Sequence, residues 1–82
     1  MAIRLPSISR NLFDDFSIDD KLFFLNDHGL LKAQIIYYDL PIKLYRLDDF
    51  FVEIRVNRLT AKPEAIYSVP NCRVAKLYGK GV

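Results

Sequence analysis

Along the first third of the chain, apolar residues recur at helical spacing. Leu12, Phe13 and Phe16 stand at i, i+1 and i+4, and Ile18, Leu22 and Leu25 at i, i+4 and i+7. Residues 9–28 therefore read as helical. Ser17 followed by Asp20 is a capping-box-like pair, which allows two short helices with a restart at Ser17. Asp19 and Asp20 then occupy a first turn, where the helix dipole favours negative charge. Gly29 comes just after the last periodic residue and suits a left-handed C′ position.

From Leu31 the pattern shifts to β-formers. Leu31–Tyr38 reads as a strand, Asp39-Leu40-Pro41 as a turn, and Ile42–Leu47 and Phe50–Asn57 as the next two strands. Val52, Ile54 and Val56 alternate with Glu53, Arg55 and Asn57, which predicts one face on a core and the other in water. On that premise a two-residue loop would place Tyr45 opposite Val52 and bury Lys43 opposite Ile54. A three-residue loop (Leu47–Asp49) sets Leu44 opposite Val52 and Ile42 opposite Ile54, and is the expected one. The absence of Gly at Asp48-Asp49 also argues against a type I′ turn. Arg58–Glu64 reads as a polar connector and Ala65–Val69 as a fourth strand. After Pro70, Asn71 is expected to cap a short helix in which Val74, Leu77 and Tyr78 share a face, and Gly79-Lys80-Gly81 to form a frayed tail. The expected class is α+β: an N-terminal helical segment, an antiparallel β-meander of three to four strands and a short C-terminal helix, in one domain over residues 1–82.

Composition narrows the picture. The 82 residues are 51% apolar and include six Phe and five Tyr, which is too rich for a disordered segment. Three Gly and four Pro exclude collagen-like and low-complexity classes. A single cysteine, Cys72, excludes an internal disulfide framework and a cysteine-based zinc site. A chain this short buries roughly 60% of its unfolded surface, and small domains without staples often gain stability by self-association. A homo-oligomer or a protein partner is therefore expected. The N-terminal residues lack the apolar run of a signal peptide, Leu22-Phe23-Phe24-Leu25 is too short to span a membrane, and no Asn begins a glycosylation sequon. These features lead to an expectation of a cytoplasmic location.

At Leu44-Tyr45-Arg46-Leu47-Asp48-Asp49-Phe50-Phe51-Val52-Glu53-Ile54 the chain resembles a group of small bacterial proteins of unassigned function. They share a Leu-Tyr-x-Leu-x-x-Phe-aromatic-Val-Glu strand–turn–strand. The resemblance covers about a dozen residues, implies a bacterial, cytoplasmic origin, and carries no activity and no site residue with it.

Candidate chemistry is sparse. His28 is the only imidazole and falls where a helix should end, a position that favours a protonated side chain. As a general base it would need a nucleophile and an orienting carboxylate, and Ser7, Ser9, Ser17 and Ser68 lie in no nucleophile motif. The pairs Asp14-Asp15, Asp19-Asp20 and Asp48-Asp49 could bind a divalent cation. Adjacent helical residues point about 100° apart, however, and capping or turn roles account for the second and third pairs. Cys72 reads as a buried or inert thiol. No enzyme, cofactor, metal or small-molecule ligand is expected.

Charge is unevenly spread. Residues 1–50 carry six basic and eight acidic groups, whereas residues 51–82 carry six and two. Two functional readings follow. In the first, the non-core face of the meander forms a protein–protein contact with Tyr45 and Phe51 as anchors and Arg55 on the rim. In the alternative, Arg55, Arg58, Lys62, Arg73 and Lys76, interleaved with Phe51, Tyr67 and Tyr78, bind nucleic acid.

Overall fold

Two serines start the two N-terminal helices. Ser9 Oγ accepts from the Leu12 N–H at the head of α1 (Arg10–Asp14), and Ser17 Oγ accepts from the Asp20 N–H at the head of α2 (Ile18–His28). Each bond satisfies a backbone donor that the helix itself leaves unpaired. Asp19 and Asp20 fill the first turn of α2 as expected. The chain then forms β1 (Leu30–Tyr37), β2 (Leu40–Leu47), β3 (Phe50–Val56), β4 (Pro63–Val69) and a closing helix α3 (Asn71–Tyr78). The computed structural model describes residues 8–79, so Lys80 and Gly81 of the proposed tail lie outside it. The four strands form one antiparallel sheet in the order β1-β2-β3-β4, which is the α+β meander expected.

The sheet is covered on both faces. On one side Phe13 and Leu25 of α1 and α2 pack with Leu47, Phe50, Val52, Ile54 and Ile66, with Phe16, Leu22 and Phe24 around them. On the other, Val74 of α3 packs with Leu44 and Val69 beside Phe51, Tyr67 and Tyr78. This overturns the expected β2–β3 register. The loop has two residues, so Leu47 pairs with Phe50, Tyr45 with Val52 and Lys43 with Ile54. Leu44 and Ile42 are buried on the α3 side, opposite Glu53 and Arg55, and have no need to share a face with Val52. Asp48 takes φ 57 in place of a glycine, a conformation Asp tolerates better than most residues.

Other boundaries shift for local reasons. The β1–β2 turn is Tyr38-Asp39, at φ 49 and 65, which are the signs of a type I′ turn. Leu40 and Pro41 belong to β2. Pro41 is tolerated because the β2–β3 pairing ends at Ile42 and Arg55, so no β3 acceptor awaits its missing donor. Gly29 is not left-handed but extended, at φ −82. Its glycine requirement is one of space, since a Cβ there would sit 2.8 Å from the Leu25 carbonyl oxygen. Pro70, not Asn71, is the N-cap of α3, and no side chain caps that helix. Leu12 and Ile18, expected on the buried helical face, are exposed, and Cys72 is an exposed thiol. No helix among the described residues is long and apolar enough to cross a membrane.

Positive φ at Tyr38 works against the β1–β2 hairpin, since a bulky residue there is strained. Replacing Tyr38-Asp39 by Asn-Gly should raise the unfolding free energy by about 1 kcal/mol, read as a higher urea midpoint at unchanged slope.

Candidate functional site

Glu53 lies at the centre of β3 with 0% of its surface exposed. Its position opposite Leu44 and Tyr67 turns it toward α3. There Arg73 grips it with both arms of the guanidinium: Nε donates to Oε2 at 3.0 Å and a terminal nitrogen donates to Oε1 at 3.2 Å. The Tyr67 hydroxyl donates to Oε1 at 3.0 Å. A bidentate, charge-assisted pair of this kind is among the stronger hydrogen-bonded arrangements, and it offsets the loss of hydration at the buried carboxylate. The bond to Glu53 also holds Arg73 protonated beyond its ordinary range.

Two tyrosines complete the cluster. Burial first, and then the Glu53 carboxylate, push the Tyr67 hydroxyl above its usual pKa. The same two causes raise Tyr78 further. Its hydroxyl is close enough to feel Glu53, yet it is buried without a hydrogen-bond partner of ordinary geometry. Arg55, two residues along β3, places its guanidinium 5.9 Å from the centre of the Tyr67 ring, and its Nε is likewise buried and unpaired. The cluster has one carboxylate against two guanidinium groups, and the carboxylate already accepts two bonds from Arg73 and one from Tyr67. A cleft of about 470 Å³ opens beside it, lined by Tyr37, Cys72, Arg73, Lys76 and Leu77.

The sheet's two outer edges are treated differently. At β4, Asp14 of α1 accepts from the Ser68 N–H at 3.1 Å and from its hydroxyl at 2.6 Å, while Lys21 of α2 donates to the Ile66 carbonyl at 2.8 Å. Side chains from both N-terminal helices thus occupy one N–H and one C=O of that strand's outer edge. At β1, among the described residues, no hydrogen bond or ion pair reaches the outer edge. Around that edge Leu30, Leu31, Ile36 and Tyr38 are exposed, Ile36 at 75%. An uncovered apolar edge is the normal route to strand addition.

The residues singled out from the sequence do not form one surface. Tyr45 pairs with Val52 on the α1–α2 side and packs at the margin of that core. Phe51 lies on the opposite, α3 side, half-buried, with the Arg46 guanidinium 6.0 Å from its ring centre. Arg55 shares the α3 side with Phe51. Of the basic residues, Arg73 is committed to Glu53, and Arg58 stands 3.9 Å from Asp39 in an exposed pair. Lys62 and Lys76 are exposed on the β3–β4 loop and on α3 respectively. His28 ends α2 with its ring 4.7 Å from that of Phe24 and its Nδ1 buried and unpaired. Among the described residues no three His, Cys, Asp or Glu side chains gather in a metal-binding group.

Sequence reasoning misses Glu53 because its alternation with Val52 and Ile54 reads as a water-facing position. The consecutive aromatics Phe50-Phe51 and the apolar pair Ile42 and Leu44 were the available sign that both faces are covered. Comparison with protein-family models, with curated proteins and with solved structures returned no match.

Two outcomes follow from the cluster. Arg73→Met, which strands a buried carboxylate, should cost about 3 kcal/mol, and adding Glu53→Met should recover a large part of that loss; denaturation of the two variants measures it. The tyrosines govern the alkaline side. With both hydroxyls held above the ordinary value of 10.0, the folded chain keeps protons that the unfolded chain releases. Stability is therefore intact below about pH 10 and falls as the pH rises beyond it. Tyr78→Phe should flatten that decline in melting curves recorded across the alkaline range.

Proposed function

We propose that this chain acts by protein–protein contact, as a homodimer or as the small partner of a larger protein, using the β1 side of its sheet. The observation that carries this reading is the contrast between the edges: Asp14 and Lys21 bond to the outward backbone of β4, whereas among the described residues no side chain bonds to the outer edge of β1, beside exposed Leu30, Leu31 and Ile36. Apolar surface continues from that edge onto β2, where a groove of about 340 Å³ is lined by Gln34, Ile35, Ile36, Pro41, Ile42 and Lys43. Exposed apolar side chains along a strand edge favour a protein partner over solvent. The contact lies away from Tyr45 and Phe51, whose side chains are already half-covered by the chain's own core.

Affinity purification of the tagged full chain from its own cells, after nuclease treatment, tests the reading. A stoichiometric protein should co-elute, either untagged copies of the chain or a larger protein, and Ile36→Lys should release it. Elution of the tagged chain with no protein beside it, or a protein retained equally by Ile36→Lys, would contradict the reading.

A further inference from the structure

Resting on that reading, we infer that the occupant of the β1 edge is β1 of a second copy, joined antiparallel about a two-fold axis at Ile35 to give one continuous eight-stranded sheet. The backbone supplies the first reason. Tyr37 and Leu40 close a two-residue loop and so exchange their hydrogen bonds, and the pairs Ile35–Ile42 and Ala33–Leu44 follow with the same sense. The intervening residues, Gln34 and Ile36, therefore turn their N–H and C=O groups outward. A two-fold axis at Ile35 places Gln34 opposite Ile36 of the second copy and Ile36 opposite its Gln34. Each outward donor then meets an outward acceptor, and the arrangement is isologous and closed.

Side chains supply the second reason. The run Ala33–Tyr37 holds no ionisable group except the Tyr37 phenol, so no charge in it opposes its own copy. The single cation of β1, Lys32, sits in the irregularity between Leu31 and Ala33, just outside the run. In this register it lies opposite Tyr38 of the second copy, an aromatic neighbour that a cation tolerates well. Slipping the pairing toward the strand's start would draw Lys32 and its irregular backbone into the ladder, and slipping it the other way would draw in the Tyr38-Asp39 turn. Both ends therefore fix the register. An axis normal to the sheet also keeps like faces together, so the two Ile36 side chains, each 75% exposed alone, lie on one surface and gain cover from each other's strand.

Sedimentation equilibrium of the full chain between about 1 µM and about 1 mM tests the dimer, and Ile36→Lys, at an exposed position that leaves the fold intact, should weaken it at least about tenfold. Position is tested by mild oxidation in a Cys72→Ser background. Ile35→Cys meets its own copy across a non-hydrogen-bonded pair, at about the 4.5 Å Cα separation a disulfide spans, and should cross-link. Ala33→Cys meets Tyr37, leaving its own counterpart about 13 Å along the strand, and should not. A dimer that Ile36→Lys leaves unchanged, or that Ala33→Cys traps as readily as Ile35→Cys, overturns the inference while the protein-contact reading stands. A chain that remains monomeric throughout also overturns it, and purification of a larger partner would then keep the broader reading alive.

Discussion

A carboxylate with no exposed surface, placed mid-strand in a four-stranded sheet, must be fully paired within the chain. Glu53 meets that condition through two bonds from Arg73 and one from Tyr67. Arg73 can supply its pair only if α3 lies across β3, and α3 in turn brings Val74 onto Leu44 and Val69. The second apolar layer is thus organised around one ion pair. With both faces of the sheet covered, Ile42 and Leu44 can point away from Val52 and Ile54, and the two-residue β2–β3 loop becomes the register that buries Ile42, Leu44 and Leu47 of β2 together with Phe50, Val52 and Ile54 of β3.

The N-terminal helices do a different job beyond filling the first core. Through Asp14 and Lys21 they close β4 at Ser68 and Ile66. Edge strands are usually blunted by charge, proline, bulges or a covering element, and here, among the described residues, the covering element reaches one edge only. At β1 the bulge and Lys32 protect only the start of the strand. The regular, uncharged part that follows is, among the described residues, the portion of the edge left uncovered.

How much of this could be read from the residues depends on how local each determinant is. Ser17 caps over three residues, so the restart of the helix there is legible, whereas the equivalent cap at Ser9 carries no capping-box partner to announce it. Strand positions followed from β-branched and aromatic runs, and the meander from their short connections. The β2–β3 register was not legible, because it depends on whether α3 covers the second face, and that contact joins residues twenty positions apart. Gly29 misled for a related reason: its glycine answers to the Leu25 carbonyl and not to backbone handedness. The candidate contact residues share this error, since a three-residue loop puts Tyr45 and Phe51 on one face and the two-residue loop sets them on opposite ones. The edge contrast depends on Asp14 reaching Ser68, a pairing no spacing rule announces.

The most direct measurement is the nuclear Overhauser effect between α-protons across β2 and β3 in the full chain. Leu44 and Glu53 form a non-hydrogen-bonded antiparallel pair, whose Cα atoms stand about 4.5 Å apart. A sheet organised around a buried Glu53 gives a strong cross-peak between the α-protons of Leu44 and Glu53, together with a slowly exchanging Arg73 Nε–H. A ladder that instead sets Leu44 opposite Val52, with the Arg73 proton exchanging freely, would contradict it.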